Sequence, residues 1–162
     1  MQDGERIQAR RFYLAALRHA QKEPADYETA AELLLKASKL RSAEADYALA
    51  TWFLFGRHFK KDIKRATVLL KRSQRAGNPD ACYDLAVSYD KGIGVPKDRA
   101  RAFELYLEGA MRGDLLSYEQ VARCFSNGSG VKKNRVLADL WGKEYERLKL
   151  RASRRRKSKL GE

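Results

Sequence analysis

Small apolar residues recur along this chain at a fixed interval of 36 positions. Ala30, Ala66, Ala102 and Ala138 form one such series, and Ala50, Ala86 and Ala122 form a second. Repetition at this interval is typical of stacked helical hairpins, in which each hairpin buries its apolar face only against its neighbours. The pattern therefore predicts an all-α fold, a right-handed α/α solenoid of about four antiparallel hairpins with a 36-residue period.

Polar residues that favour helix starts repeat with the same interval. One series is Ser42, Asn78 and Asp114, and the other is Asp26, Asp62, Asp98 and Asn134. Side chains of these types accept hydrogen bonds from the free amides of a first helical turn. We expect first helices at about 5–21, 43–55, 79–91 and 115–126, and second helices at about 27–40, 63–76, 99–112 and 135–152. Gly92 and Gly128 should end first helices, and Gly77 and Gly113 second helices.

The hairpins define the expected domain organisation. Residues 1–150 should form one repeat solenoid, with hairpins at about 5–41, 42–77, 78–113 and 114–150. Apolar periodicity stops after Leu150, and the following segment contains six basic residues and one acidic residue. We therefore interpret residues 151–162 as a basic C-terminal tail, which is either a solvated helix end or disordered.

Composition restricts the class of protein. Hydrophobic residues make up 44% of the 162-residue chain, which fits a globular domain rather than a disordered one. No stretch approaches the roughly 20 apolar residues of a membrane helix. The charged N-terminus lacks the apolar core of a secretory signal. Cys82 and Cys124 are too few for a disulfide framework, and we expect them to be buried thiols in a reducing compartment. These features predict a cytoplasmic protein.

Candidate catalytic chemistry is sparse. His19 and His58 are the only histidines in the sequence, and they fall at a helix end and in a turn. No cluster has the spacing of metal ligands, and no glycine-rich phosphate loop with a following Lys-Ser or Lys-Thr occurs. We expect no enzymatic activity, no cofactor, no metal and no small-molecule substrate.

Residues 81–102 carry the clearest motif, with the sequence ACYDLAVSYDKGIGVPKDRARA. This segment resembles the Sel-1-like repeat, a relative of the tetratricopeptide repeat. The resemblance to this family covers residues 42–145. The first hairpin matches the family more weakly, and Ala86 stands where the family usually has glycine. The resemblance implies a helical scaffold or adaptor that binds another protein.

The resemblance also places a binding surface. In tetratricopeptide arrays the first helices line the concave face, which implies that residues off their apolar stripe contact the partner. Asp90 and Asn127 share this face. For each aromatic residue on it, and for the neighbouring Trp52, packing between repeats remains an equal alternative. The candidate partner-binding residues are Tyr47, Thr51, Phe55, Tyr83, Val87, Lys91 and Arg123.

The charge of the chain indicates the chemistry of the partner. The formal net charge is +13, which favours a protein with an acidic surface. Lys61, Lys97 and Lys133 repeat along one predicted edge, where they form either an electrostatic strip or a solvated loop edge. The leading hypothesis is an adaptor that clasps its partner in the concave groove, and a narrower one is a toxin-neutralising immunity protein. The alternative is binding of nucleic acid or an anionic membrane by the basic tail.

Overall fold

The computed structural model of the chain describes the backbone of residues 3–160 and the side chains of residues 3–154. Eight α-helices and no strand occur in this part of the chain. The all-α fold class and the hairpin pattern predicted from the sequence are confirmed. The helices are α1 (Asp3–Ala20), α2 (Tyr27–Lys39), α3 (Ala43–Phe55), α4 (Ile63–Arg75), α5 (Pro79–Lys91), α6 (Arg99–Met111), α7 (Leu115–Asn127) and α8 (Arg135–Leu160).

Both series of predicted capping residues begin helices in the structure. Ser42 Oγ accepts a hydrogen bond from the Ala45 amide at 3.2 Å, and Asp114 Oδ2 accepts one from the Ser117 amide at 2.7 Å. Each cap satisfies an amide that has no partner inside the helix, which stabilises the helix start by about 1 kcal/mol. The remaining caps, formed in the same way, are Asp26, Asp62, Asn78, Asp98 and Asn134.

Glycines end three of the first helices. Gly56, Gly92 and Gly128 have φ angles of +68°, +75° and +71°. Side chains with a Cβ rarely adopt this left-handed conformation, because the Cβ approaches the following carbonyl oxygen. The backbone and Cβ of Lys97 lie 3.4 to 3.7 Å from the position of a Cβ on Gly92. Each lysine of the predicted basic edge therefore lies in a tight turn that depends on a glycine.

The chain divides into two compact units between Ala81 and Cys82. In the first unit, α1 packs on α2, α2 on α3 and α3 on α4. Its core consists mainly of alanine and leucine side chains, including Leu49 and Leu70, which are fully buried. Small residues permit the close approach of neighbouring helices, which explains the alanine series in the sequence.

An ion pair between a buried carboxylate and a half-exposed arginine connects helices of the first unit. Asp46 on α3 is only 1% exposed, and both oxygens of its carboxylate accept hydrogen bonds from the Arg72 guanidinium on α4. The same guanidinium donates to Ser38 Oγ on α2. This contact raises the pKa of Arg72, chiefly through the hydrogen bond to Asp46. The pair compensates a charge that burial alone would make costly.

In the second unit, α6 packs on α7 and α7 packs on α8. Gly109 on α6 is buried against α7, and a Cβ at this position would lie 2.5 Å from Ser117 Oγ. The residue 36 positions earlier is Ser73, whose hydroxyl donates a 2.7 Å hydrogen bond to the Ala43 carbonyl. Equivalent positions on α4 and α6 thus have different residues, and each residue fits the neighbours that it contacts.

Helix α8 is longer than the sequence pattern predicted. It extends to Leu160 rather than ending near residue 152, so the basic segment continues the last helix, which is one of the two alternatives predicted for it. Arginine and lysine are good helix formers, and cations near a helix C-terminus interact favourably with its dipole. Residues 151–154 are exposed, so the loss of apolar periodicity marks the end of packing at these positions and not the end of the helix. No helix among the described residues has the length and apolar character needed to cross a membrane.

Candidate functional site

The candidate residues of the first unit lie on α3 with unequal exposure. Tyr47 and Thr51 are half-buried, and the Thr51 hydroxyl donates to the Ala48 carbonyl at 2.8 Å. Phe55 is 71% exposed, and the guanidinium carbon of Arg57 lies 6.0 Å from the centre of its ring. An aromatic ring this exposed contributes little to the core. Phe55 is therefore the strongest candidate contact residue of this unit.

Trp52 belongs to an internal aromatic cluster of the first unit. The tryptophan is 8% exposed and packs edge-on against Tyr27, with ring centres 5.8 Å apart. His58 and Phe59 from the following turn also contact it, at 5.9 and 6.2 Å. Of the two interpretations of Trp52, the structure thus supports packing. The same contacts give His58 a structural place in the turn.

The candidate residues of the second unit lie on α5 and α7. Tyr83 and Val87 are half-buried, whereas Lys91 and Arg123 are exposed. The ring of Tyr83 lies 5.8 Å from the ring of Tyr106 on α6, and burial raises the pKa of the Tyr83 hydroxyl. Tyr83 is thus partly engaged in packing, and Lys91 and Arg123 are the accessible members of this group.

A polar cavity of about 340 Å³ opens beside Arg123. Tyr106 and Cys124, which are 2% and 4% exposed, form its buried wall. Arg123 from α7 and Arg99 from the first turn of α6 supply two cations. The complete lining is Asp90, Arg99, Ala102, Tyr106, Arg123, Cys124, Asn127, Gly128 and Ser129.

The turn after α7 is held tightly against α6 at this cavity. Gly130 has a φ of +74°, and a Cβ there would lie 1.9 Å from the Arg99 carbonyl oxygen. Only glycine permits this approach of the two backbones. The contact fixes Gly128 and Ser129 as one wall of the cavity and Arg99 as another.

The electrostatics of the cavity are dominated by its arginines. Arg99 Nε lies 3.8 Å from Asp90 Oδ1, whereas Arg123 has no ion pair among the described residues. Burial raises the pKa of Tyr106, and Asp90 raises it further, so the phenol stays protonated and can donate a hydrogen bond. Burial also raises the pKa of Cys124, which keeps this thiol neutral. Two arginines and one aspartate leave the cavity with a formal charge of +1.

Three residues of the cavity lining also belong to the predicted partner-binding face, and their contact with a partner stays a prediction. Arg123, Asp90 and Asn127 were all placed on the predicted partner-binding face, and the structure brings them together around one cavity. Tyr106 was missed because it occupies a second-helix core position. The repeat register offers one signal for Tyr106. The residue 36 positions earlier is Leu70, so a tyrosine adds a polar hydroxyl at a position that the preceding hairpin fills with an apolar side chain. The lining residues not predicted are Arg99, Ala102, Tyr106, Cys124, Gly128 and Ser129.

Other candidate chemistry is limited in the described residues. No group of three or more His, Cys, Asp or Glu side chains there could hold a metal ion. Cys82 and Cys124 are both buried and free, as predicted. His19 Nδ1 lies 2.9 Å from Asp26 Oδ2, at the start of α2.

Four consecutive segments match the sequence profile of the Sel1 repeat, at residues 11–42, 43–78, 79–114 and 116–138. The chain belongs to the Sel1 repeat family. The first match shows that the atypical N-terminal hairpin is also a Sel1 repeat. Sel1 repeat proteins act as protein–protein interaction scaffolds.

Solved Sel1 structures share the fold. A Sel1 repeat protein from Oxalobacter formigenes has a TM-score of 0.78 and 20% identity, over 90% of this chain and 60% of that one. The protein c5321, a protective antigen of uropathogenic Escherichia coli, has a TM-score of 0.82 and 22% identity, over 90% and 32% of the chains. Helicobacter pylori cysteine-rich protein B has a TM-score of 0.61 and 18% identity, over 70% and 85%.

The length of the match differs between these structures. The chain spans less than two thirds of the Oxalobacter and Escherichia proteins. At these identities the similarity shows the fold, a solenoid of helical Sel1 repeats. Comparison with curated proteins found no sequence match.

Proposed function

We propose that this chain is a non-catalytic scaffold that binds a partner protein with an acidic surface through its first helices. The observation that carries this proposal is Phe55, which is 71% exposed at the end of α3. Burying such a side chain in an interface stabilises a complex by about 1.5–3 kcal/mol. Aromatic residues of this kind are typical hot spots of protein interfaces.

Charge supports the choice of an acidic partner. The chain has a net charge of +13, and Lys91 and Arg123 present exposed cations on the predicted binding face. Long-range attraction of this sign speeds association with an acidic protein and weakens as salt is added. The buried, free thiols of Cys82 and Cys124 support a cytoplasmic location for this interaction.

The experiment begins with affinity capture from the native cell and continues with variants of the predicted binding face. Phe55→Ala and Tyr83→Ala should weaken binding of the captured partner by about tenfold or more, and Tyr47→Ala should act in the same direction. Lys61→Ala and Lys97→Ala on the loop edge serve as controls. If the lysine variants lose the partner while the three aromatic variants keep it, the proposed surface is wrong and the basic edge is the site.

A narrower form of the proposal is that the partner is a toxin domain and the chain is its immunity protein. A toxin gene beside the gene for this chain, and neutralisation of that toxin by the purified protein, would support it. A neighbouring gene of unrelated function, or a neighbouring toxin that the purified protein does not neutralise, would contradict the immunity role and leave the general scaffold.

A second candidate function rests on the C-terminal part of α8. This helix continues through a segment that contains Arg151, Arg154 and further basic residues. A basic helix can bind nucleic acid or an anionic membrane through release of counterions. Salt-dependent retention on heparin that is lost on deletion of residues 151–162 would favour this function over the scaffold.

A further inference from the structure

Tyr106 is the most informative residue of the polar cavity. Its side chain is 2% exposed and lines the cavity wall, and no hydrogen bond to its hydroxyl occurs among the described residues. The equivalent residue of the preceding hairpin is Leu70, which shows that the fold does not need a hydroxyl at this position. The hydroxyl oxygen is not among the fully buried polar side-chain atoms of the described residues, so it is accessible from the cavity although the residue as a whole is buried. A ligand in the cavity can therefore accept a hydrogen bond from it.

Arg123 is the second group that lacks a partner. Its guanidinium lines the same cavity and forms no ion pair in the described part of the chain. Arginine has a planar set of donors that matches a carboxylate in a two-point contact. The guanidinium presents only donors to the cavity, and the protonated phenol can add one more, which favours an acceptor, and preferably an anion, as the complementary ligand.

Asp90 limits the charge of that ligand. Its carboxylate lies 3.8 Å from Arg99 Nε and leaves the cavity with a formal charge of +1. One carboxylate neutralises this charge. A doubly charged phosphate would instead leave an excess negative charge beside Asp90, which is unfavourable in a partly buried site.

We propose that this cavity binds the side-chain carboxylate of a glutamate or aspartate residue of the partner protein. Arg123 and Tyr106 donate to the two carboxylate oxygens, and Arg99 supplies additional positive charge. The cavity volume of about 340 Å³ lies at the lower end of ligand pockets, which suits a single side chain. This assignment rests on the proposed scaffold function and specifies the chemistry that the second unit recognises.

The test uses the full chain and blocked amino acids as probes, so it does not require the partner. N-acetyl-glutamate α-amide presents one side-chain carboxylate and is titrated while NMR signals of the Arg99 and Arg123 side chains and the Ser129 amide are followed. We expect saturable shifts with this probe. N-acetyl-glutamine α-amide, its neutral counterpart, should bind at least tenfold more weakly. N-acetylglycine, which presents a terminal carboxylate, and inorganic phosphate should also bind more weakly.

Variants assign the binding to named groups. Arg123→Gln should weaken binding of the glutamate probe about tenfold, and Tyr106→Phe should weaken it several-fold while preserving the volume of the core. Asp90→Asn should tighten binding several-fold, because it removes the repelling charge. This gain is not expected from a purely structural role. Arg101→Gln is the matched control, since Arg101 lies on α6, pairs with Glu104 and is not part of the cavity lining.

The outcomes separate this inference from the scaffold proposal. Equal binding of the glutamate and glutamine probes would overturn the carboxylate assignment, as would equal effects of Arg123→Gln and Arg101→Gln. Tighter binding of N-acetylglycine or phosphate would also overturn it, in favour of a chain terminus or a phosphoryl group. Selective binding of the glutamate probe supports the cavity assignment even if no partner protein is captured, in which case the scaffold proposal alone fails. A captured partner that binds Arg123→Gln and Asp90→Asn like the wild type overturns the cavity's role.

Discussion

Replacement of Arg72 by methionine tests the energetic importance of the ion pair in the first unit. Asp46 is 1% exposed, and Arg72 supplies its hydrogen-bonding countercharge. Removing one member of a buried pair typically costs about 3–5 kcal/mol, because the remaining charge stays buried without compensation. Two features place Arg72→Met at the lower end of this range. The Arg72 side chain is itself 47% exposed, and Asp46 lies in the first turn of α3, where the helix dipole favours a negative charge.

The expected loss is therefore about 3 kcal/mol in the free energy of unfolding. For a chain of this size, each kcal/mol shifts the midpoint of thermal unfolding by about 2–4 °C, which gives a decrease of about 6–12 °C. Thermal and urea unfolding at neutral pH, followed by circular dichroism, measure both quantities. Methionine keeps the aliphatic length of the arginine, so the comparison isolates the charge and its hydrogen bonds.

Two further variants make the reasoning refutable. Arg75→Met changes an exposed arginine of the same helix and should shift stability by no more than about 0.5 kcal/mol. The double variant Asp46→Cys/Arg72→Met introduces the residue found 36 positions later, Cys82, and should recover most of the loss. Stability of Arg72→Met within error of Arg75→Met, or a double variant as unstable as the single one, would show that the pair does not act as described.

Three further predictions concern the turns and a helix cap. Gly92→Val and Gly128→Val should each lower the free energy of unfolding by about 1 kcal/mol or more, since both glycines have positive φ; unchanged thermal midpoints would contradict this. Gly130→Ala should be more destabilising than Gly128→Ala, because only its Cβ would overlap backbone atoms of α6, at 1.9 Å; urea midpoints of the two variants decide. Hydrogen bonds from Thr29 lower the pKa of Asp26 to about 2, from 3.8. The resulting stabilisation is present above about pH 4 and lost toward pH 2, so the difference in unfolding midpoint between wild type and Asp26→Asn should shrink over this interval.

The parts of the fold that depend on local sequence were predictable. A capping residue such as Asp114 and a turn glycine such as Gly128 act within a few residues of their own position, so their types and spacing sufficed. The contact between Asp46 and Arg72 was not foreseen, because it joins residues on two helices and depends on packing geometry. The end of α8 was placed too early for a related reason. Apolar spacing reports burial, and a solvated helix continues without it.

The candidate site was predictable only where its residues lie on the outer face of first helices. Arg123 and Asp90 were found there through the repeat register. Tyr106 was not predicted, because a leucine of the core fills its position in the preceding hairpin. A tyrosine at such a position normally indicates packing in the core. Its hydroxyl becomes informative only beside Arg123 in three dimensions. A one-dimensional pattern cannot show which polar atom of a core residue reaches a cavity.

The contact between Gly109 and Ser117 has a consequence for how such a gene could change in length. Loss of residues 78–113 by recombination between repeats would keep every cap and turn in register. It would nevertheless place Ser73, rather than glycine, eight residues before Ser117. Its Cβ would then occupy a position that, at Gly109, lies 2.5 Å from the serine hydroxyl oxygen. Each junction between hairpins therefore has its own matched pair of residues, and deletion of residues 78–113 would force the two serines at the new junction to shift.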